Sequence, residues 1–229
     1  MTTNICKNKI KCAVFDLDGT LLNTIKTITH YLNFALQKNG LSPVSEQECR
    51  GFVGDGVRML LLRAIEARGE YSDSLFARMF EDYNTAYDSE PHHLTEVYEG
   101  VGEMLRTLRE SGIRLAVLSN KPHFATCATI EKFFPDTFDI VLGGREGVPL
   151  KPNPTALLDA IASLGFEPSE CAYIGDSDVD MLTARNAGVA LSVGASWGYR
   201  SRELLIESGA DCIADTAPDI SRLIFTKNT

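Results

Sequence analysis

The alternation of short apolar runs with helix-like segments between residues 101 and 214 constrains the fold of this chain more than any other feature. Strands are predicted at 113–118, 138–142, 171–175, 189–193 and 211–214, and helices at 101–111, 122–134, 154–164, 178–187 and 201–208. This order is typical of a parallel sheet with helices on both faces and right-handed connections. The pattern therefore predicts an α/β fold, a Rossmann-like doubly wound parallel sheet.

A further buried strand is predicted at residues 10–15, and it ends abruptly in a polar motif. Asp16 and Asp18 are two residues apart, so on a strand their carboxylates point the same way and repel each other. A divalent cation is the usual agent that offsets such repulsion. Gly19 permits a turn, and Thr20 offers a hydroxyl and an amide N–H. Taken alone, so short a motif is more often a helix-capping turn than a metal and anion site. The residues at the other strand ends are needed to distinguish the two.

Three further strand ends carry groups suited to phosphate and metal binding. Ser119 and Asn120 could hold an anion with a hydroxyl and backbone N–H groups, although ordinary helix capping is the alternative. Lys151 lies between apolar and proline residues and suits a phosphate oxygen, with a solvated lysine as the alternative. Asp176 and Asp180 are one helical turn apart and offer the carboxylate oxygens that Mg²⁺ prefers. Since the carboxyl ends of parallel strands meet at one edge, their concurrence favours a site over capping alone.

Between residues 22 and 91 the alternation stops, and helical periodicity takes over. Helices are predicted at 24–38, from about 45, at 57–68, and from 72 or 73 to about 87. The chain then returns through a linker with Pro and Gly punctuation. We therefore predict a catalytic core of residues 1–21 and 92–229, with 22–91 as an inserted all-helical domain.

The bulk composition narrows the kind of partner and the compartment. A formal net charge of −9 disfavours nucleic acid and anionic membranes, which bind basic surfaces. Residues 1–11 are polar, and no run approaches the roughly 20 apolar residues of a membrane span, so neither a secretory signal nor an anchor is expected. The cysteines lack metal-site spacing and are expected to be free thiols: Cys6, Cys12, Cys49, Cys127, Cys171 and Cys212. We expect a cytoplasmic protein, monomeric or homodimeric, that binds a small phosphorylated metabolite.

The four polar strand ends together resemble the motifs of the haloacid dehalogenase-like hydrolase superfamily, over nearly the whole chain. Residues 16–21 are similar to its D-x-D-G-T-L first motif, and Ser119 to its second. Lys151 with Pro152 is similar to the third motif, and residues 175–180 to the G-D-x-x-x-D fourth. The helical segment 22–91 resembles the cap that the superfamily places after its first motif.

Within the superfamily, Asp18 is similar to the acid found in phosphatases and mutases rather than in dehalogenases. The chain resembles the phosphoglycolate phosphatase group in the stretches 98–101, 175–177, 187–188 and 196–199. Asn23 departs from that group, which commonly has Asp there. Because Asn23 is expected at the hinge of the cap, the departure concerns hinge behaviour more than chemistry.

The resemblance implies a Mg²⁺-dependent phosphatase that works through an aspartyl-phosphate. Asp16 is then the nucleophile, and Asp18 the general acid and later the general base. The metal ligands would be the side chains of Asp16 and Asp176 and the backbone carbonyl of Asp18, with Asp180 orienting them. The phosphoryl oxygens would be held by Thr20, Ser119, the Asn120 N–H and Lys151.

The loop Gly54-Asp55-Gly56 and Arg58 in the helical segment are candidates for reading the leaving group, with a solvated arginine as the alternative for Arg58. The first substrate to consider is 2-phosphoglycolate. A nucleotidase, a pyrophosphatase and a phosphohexose mutase are alternatives on the same site. A catalytically silent binding or regulatory protein is the alternative outside the enzymes, and it predicts loss of an acid or of Lys151, none of which is lost.

Overall fold

The computed structural model describes residues 9–69 and 71–229, and its centre is a six-stranded sheet. In chain order the elements are β1 (Cys12–Phe15), β2 (Leu22–Asn23), α1 (Ile25–Lys38), α2 (Glu46–Phe52), α3 (Val57–Glu66), α4 (Asp73–Ser89), β3 (Glu96–Val97), α5 (Val101–Glu110), β4 (Arg114–Pro122), α6 (His123–Phe133), β5 (Ile140–Gly144), α7 (Thr155–Ser163), a 3₁₀ turn (Pro168–Glu170), β6 (Cys171–Gly175), α8 (Asp178–Ala187), β7 (Leu191–Ala195), α9 (Arg202–Glu207), β8 (Cys212–Ala214) and α10 (Ala217–Lys227).

All neighbouring strands of the large sheet are parallel, in the order β5-β4-β1-β6-β7-β8. From β1 the chain goes to β4 and β5 on one side, and then crosses to β6 and β7 on the other. The connections that leave β1 and β6 therefore run in opposite directions, which opens a crevice at the carboxyl ends of these two strands. The predicted Rossmann-like doubly wound fold is confirmed.

Both faces of the sheet are buried, as its uninterrupted apolar strands require. Ala13 and Phe15 of β1 pack into a cluster with α5, α6 and α10. Cys12 and Val14 point the other way and pack with α7 and α8. Because β1 is covered on both faces and paired on both edges, the residues that directly follow it start from a rigid base.

The helices α1–α4 pack around an apolar cluster of their own, with Leu32, Leu61 and Met79 fully buried at its centre. Ser45 precedes α2 and forms a capping box with Glu48. The Ser45 hydroxyl accepts from the Glu48 N–H, and the Ser45 N–H donates to the Glu48 carboxylate. Ser72 caps α4 with a single hydrogen bond, in which its hydroxyl accepts from the Leu75 N–H. These helices follow the predicted ones closely in position.

The chain enters and leaves this helical segment at one place. Strands β2 and β3 form a two-residue antiparallel ladder, in which Leu22 pairs with Val97 and Asn23 with Glu96. The linker expected after residue 91 thus contains a short strand, which the sequence pattern did not indicate because two residues carry no periodicity. Asn23 lies in this ladder, at the point where the helical segment begins.

The structure differs from the sequence prediction at a few boundaries. β4 continues to Pro122 because it pairs with β5 beyond an irregularity after Leu118. The C-terminal helix α10 was not predicted, although Thr216 and Asp219 form a capping box at its start.

Cys6 and most of the polar N-terminal segment lie outside the described residues, and the five described cysteines are free. No helix within residues 9–69 and 71–229 combines the length and apolar character needed to cross a membrane.

Candidate active site

The predicted polar residues of the core gather at the carboxyl ends of β1, β4 and β6. Asp16 directly follows β1, and its N–H donates to the Ile174 carbonyl of β6 at 2.9 Å. Ser119 and Asn120 lie near the end of β4, and Asp176 directly follows β6. The strand ends predicted separately from the sequence therefore form one site.

Lys151 is the central cation of this site. Its Nζ lies 2.8 Å from Asp16 Oδ1 and 2.7 Å from Asp180 Oδ1, and its side chain is 3% exposed. Burial alone lowers the pKa of a lysine, but the charges of Asp16 and Asp180 outweigh it and raise the pKa of Lys151 well above its usual range. Lys151 is therefore held as a buried ammonium between two carboxylates.

Asp180 is fixed by groups on all sides. Its Oδ2 accepts from the Ser177 N–H at 3.1 Å and the Ser177 hydroxyl at 2.6 Å, in the capping box of α8. Its Oδ1 accepts from the Tyr173 hydroxyl at 3.1 Å and from Lys151. With so many partners, Asp180 is suited to hold Lys151 in place rather than to react.

Asp176 is held by the loop after β1 and by the loop after β7. Its Oδ1 accepts from the Thr20 hydroxyl at 2.9 Å, and its Oδ2 from the Tyr199 N–H at 2.8 Å. A Cβ atom on Gly19 or Gly198 would collide with the Asp176 side chain, so both loops come this close only because they carry glycine. Burial, and next the charge of Asp180, raise the pKa of Asp176 to about 7.

The carboxylates of Asp16, Asp176 and Asp180 fit a divalent cation. Each offers an oxygen within 4.8 Å of the others, and all three residues are buried. Burial, followed by the charge of Asp180, raises the pKa of Asp16 well above its usual range, even though Lys151 opposes this. A hard cation with oxygen ligands would relieve this excess of buried negative charge. Each oxygen of Asp180 already has two partners, whereas Asp16 and Asp176 have at most one on each oxygen, so these two carboxylates have more capacity left for an ion.

Asp18 lies beside the cavity on the loop after β1. Its Oδ1 is buried, and among the described residues no group forms a hydrogen bond with it. The nearest cation is Lys121, whose Nζ is 3.7 Å from this oxygen. Asp18 thus presents a carboxylate oxygen that is free to exchange a proton with a bound molecule.

Asn120 connects the core to the helical segment through its side chain. Its amide donates to the Gly54 carbonyl at 2.9 Å and to the Lys151 carbonyl at 3.2 Å, and it accepts from the Lys151 N–H at 2.9 Å. Ser119 is 4% exposed, and its hydroxyl accepts from the Lys121 N–H at 3.2 Å. Both residues lie at the site, and Asn120 also holds the backbone of Lys151.

A cavity of about 280 Å³ lies above these strand ends, with the helical segment on its other side. The helical segment contributes mainly apolar and aromatic side chains to its lining, among them Ile28, Val57, Leu60, Tyr83 and Tyr87. The core contributes the two lysines and the acids Asp16, Asp18 and Asp176, and the helical segment adds Asp88. The shape and chemistry suit a small molecule that reacts at its charged end.

Of the four specificity candidates in the helical segment, Gly54 and Gly56 line the cavity. Asp55 instead forms an ion pair with Arg63. The guanidinium of Arg58 lies over the rings of Phe76 and Phe80, 5.1 and 5.8 Å from their centroids. Neither Asp55 nor Arg58 is among the described residues that line the cavity.

The sequence interpretation missed two basic residues at this site. Lys121 lines the cavity beside Asp18, and its position directly after Ser119 and Asn120 was the available signal. Arg200 donates to the Arg50 carbonyl and, at 2.8 Å, to the Val53 carbonyl of the helical segment. These partners are about 150 residues away along the chain, so no local pattern indicates them.

Comparison with known proteins gives a consistent picture. Residues 13–193 match the family model described as haloacid dehalogenase-like hydrolase. The chain is 38% identical to a phosphoglycolate phosphatase of Cereibacter sphaeroides over 91% of this chain and 96% of the relative. It is 35% identical to one of Vibrio vulnificus, over 96% of this chain and 98% of the relative. A crystal structure from Lactobacillus delbrueckii, provisionally named a phosphoglycolate phosphatase, superposes with a TM-score of 0.90 at 31% identity, covering 94% of this chain and 98% of that chain.

Proposed function

Because the chain belongs to the haloacid dehalogenase-like hydrolases, we propose that it is a Mg²⁺-dependent phosphatase acting on a small phosphomonoester, with 2-phosphoglycolate as the first candidate substrate. The observation that carries the proposal is the buried pair of Asp16 and Lys151 at the end of β1, with Asp176 beside it. A carboxylate next to a fixed ammonium is suited to attack a phosphoryl group whose charge is neutralised.

In the proposed reaction, a carboxylate oxygen of Asp16 forms a bond to phosphorus while the ester P–O bond breaks. Asp18 gives its proton to the leaving oxygen, so an alcohol departs and an aspartyl-phosphate remains. Asp18 then takes a proton from water, and the resulting hydroxide attacks phosphorus and releases phosphate from Asp16. The buried, unpaired Oδ1 of Asp18 supports this double role.

The phosphoryl oxygens are held by residues that the fold fixes before substrate arrives. Lys151 is locked by Asp180, and the Ser119 hydroxyl and the Asn120 N–H complete the set. Thr20 donates its one hydroxyl proton to Asp176 in this structure, so it would join the set by turning that hydroxyl toward the phosphoryl group. Asp16, Asp176 and the Asp18 carbonyl would hold the Mg²⁺ ion. When bound, the ion neutralises negative charge on the carboxylates and the phosphoryl group.

We further propose that residues 22–91 are a cap domain and that residues 1–21 and 92–229 are the catalytic core. The apolar cluster of α1–α4 and the cavity beneath it support this division. The cap excludes water from the aspartyl-phosphate and contacts the leaving group. We place the protein in the cytoplasm, where its described cysteines stay as thiols. A single chain carries the whole cavity, so activity is expected from a monomer as well as from a homodimer.

Phosphate release from a panel of phosphomonoesters, nucleotides, pyrophosphate and sugar phosphates tests the proposal. We expect 2-phosphoglycolate to give the highest kcat/KM, with Mg²⁺ required and a chelator abolishing turnover. Preference for a nucleotide or pyrophosphate would favour those alternatives, and transfer of phosphate between sugar positions without release would favour a mutase.

Asp16→Asn tests the covalent step. We expect turnover to fall by about a thousandfold or more, because an amide oxygen is a far poorer nucleophile than a carboxylate. Circular dichroism and thermal unfolding should show a folded protein. Asp159→Asn, which changes an exposed acid on α7, is the matched control and should leave the rate unchanged. Wild-type turnover in the Asp16→Asn variant would exclude the aspartyl-phosphate route.

A further inference from the structure

We propose that Lys121 determines substrate specificity, by binding a carboxylate on the leaving group next to the ester oxygen. The inference rests on the proposed function and concerns which phosphomonoesters its cavity selects. Lys121 lies at the end of β4, and its side chain is 10% exposed. It lines the cavity, as do Asp16 and Asp18. Lys121 is thus a buried cation placed where the leaving group must lie.

Among the described residues, three cationic side chains line the cavity, and two of them are already engaged. Lys151 forms close ion pairs with two carboxylates of the site. Arg200 contacts Asp178 at 3.2 Å and donates to two backbone carbonyls of the helical segment. The remaining donor of Lys151 is assigned to the phosphoryl group in the proposed function, and the guanidinium of Arg200 is occupied by Asp178 and the two carbonyls. Lys121 is the cation left for a second anionic group of the substrate.

Lys121 has much weaker engagements. Its Nζ donates one hydrogen bond, to the neutral hydroxyl of Tyr87 at 2.6 Å. The carboxylate of Asp18 lies at 3.7 Å, which allows attraction but is longer than a hydrogen bond. An ammonium has three N–H donors, so Lys121 keeps donors for a bound anion.

The position of Lys121 relative to Asp18 specifies where that anion lies. Asp18 is the proposed proton donor to the leaving oxygen, so a group one carbon away from that oxygen is within reach of the neighbouring ammonium. Apolar and aromatic side chains, including Leu60 and Tyr83, form part of the surrounding wall, and Asp88 of α4 also lines the cavity. In such surroundings a charge-assisted hydrogen bond is stronger than in water, and an unpaired ammonium is more costly.

Tyr87 acts here as a positioning residue. It belongs to α4 of the helical segment, is 8% exposed, and its ring lies 5.1 Å from Lys121 Nζ. The ammonium is therefore oriented by a group that comes from across the cavity. A phosphomonoester with a neutral leaving group gains nothing from this arrangement, whereas a 2-phospho carboxylate pairs with it.

The experiment compares two phosphomonoesters of similar size, 2-phosphoglycolate and 2-hydroxyethyl phosphate, in which the carboxylate is replaced by a neutral hydroxymethyl group, with the full chain in Mg²⁺ buffer. For Lys121→Met we expect kcat/KM on 2-phosphoglycolate to fall by on the order of 30-fold or more, chiefly through KM, against less than about threefold on the neutral ester. Lys121→Arg should retain most of the preference. Lys132→Met, which removes an exposed lysine from α6, is the control and should change neither ester.

Equal losses on both esters in Lys121→Met would overturn the inference, since they would indicate a general role in supporting Asp18. So would a wild-type enzyme that hydrolyses the neutral ester as well as the charged one. Calorimetric titration of Asp16→Asn with each ester, with and without Lys121→Met, gives a readout that needs no turnover. If the wild type hydrolyses neither ester, the proposed function fails, but the titration still tests whether Lys121 binds the carboxylate. Tighter binding of the charged ester that is lost with Lys121 supports the inference, and equal binding overturns it.

Discussion

The acidic residues at the carboxyl ends of β1 and β6 bring an excess of negative charge into the buried site. Asp16, Asp176 and Asp180 are buried close together, and Lys151 is the cation that contacts two of them directly. Removing one partner of a buried ion pair leaves an uncompensated charge, which costs far more than losing an exposed pair. We therefore expect Lys151 to contribute to stability as well as to the proposed catalysis.

Lys151→Met should lower the free energy of unfolding of the metal-free protein by about 3–5 kcal/mol, because two buried carboxylates lose their ammonium. Urea denaturation in the presence of a chelator measures this. Lys11→Met removes a cation that is 55% exposed from its pair with Glu170 and should cost at most about 1 kcal/mol. Similar losses in the two variants would contradict the central place given to Lys151.

Gly198→Ala should weaken Mg²⁺ activation, because the added methyl group displaces the carboxylate of Asp176. We expect the Mg²⁺ concentration for half-maximal activity to rise by about tenfold or more, as for other changes around metal ligands. Gly102→Ala is the control, since a Cβ there meets no atom within 4 Å and the residue lies in α5. That variant should keep its Mg²⁺ dependence and gain roughly 0.5–1 kcal/mol of stability.

At the scale of elements, the C-terminal end of α2 is held to the core by a small set of polar contacts. Arg200 donates to the carbonyls of Arg50 and Val53, and Arg50 donates in return to the Gly198 carbonyl at 3.0 Å. These contacts tie the loop that holds Asp176 to the helical segment. If Asp176 is a metal ligand as proposed, the position of the helical segment and the position of that ligand are coupled through these contacts.

Arg200→Met should raise KM on the order of tenfold, because hydrogen bonds from a charged donor to the helical segment are lost and the cavity opens more often. Hydrogen exchange of the α2 amides should become faster in the same variant. Arg202→Met, which removes an exposed arginine from its pair with Asp215, is the matched control. If α2 exchanges at the wild-type rate in Arg200→Met, these contacts do not hold the cavity closed.

The sequence was sufficient for the large sheet and for the polar strand ends, because both have local signatures. Apolar runs identified β1, β4 and β6, and Asp16 and Asp176 directly follow two of them. Arg200 could not be assigned in this way, because its partners are distant along the chain. The strand end indicated a position for Lys121 at the site, but its contact with Tyr87 has no local signature. Arg58 shows the reverse case, since a suitable residue type in a suitable helix is engaged by two aromatic rings instead.

For the molecule as a whole, the site makes stability depend on pH when the metal is absent. Asp176 has a pKa of about 7 in the folded protein, against 3.8 for an unperturbed side chain. Between these values the unfolded chain has lost a proton that the folded chain keeps. Because the folded state then binds more protons than the unfolded chain, the contribution of Asp176 to the free energy of unfolding falls as pH rises through this interval. Above the interval that contribution is constant.

With a chelator present, the free energy of unfolding of the wild type should therefore fall relative to that of Asp176→Asn from pH 4 to pH 7. The expected change is up to about 1.4 kcal/mol for each pH unit. Urea denaturation across this range measures the difference, and the comparison cancels the titration of groups that do not interact with Asp176. Mg²⁺ should remove the trend, because a bound cation favours the ionised carboxylate. A constant difference in the chelated samples would contradict a raised pKa at Asp176.

The two-residue ladder between β2 and β3 has a consequence for how this architecture can vary. Asn23 and Glu96 lie opposite each other, so the chain leaves the core and returns to it side by side. A short turn between them would replace everything from residue 24 to residue 95, and no strand of the large sheet would change its neighbours. A different segment joined between Asn23 and Glu96 would therefore exchange the proposed leaving-group pocket while the strand order of the large sheet stays as it is.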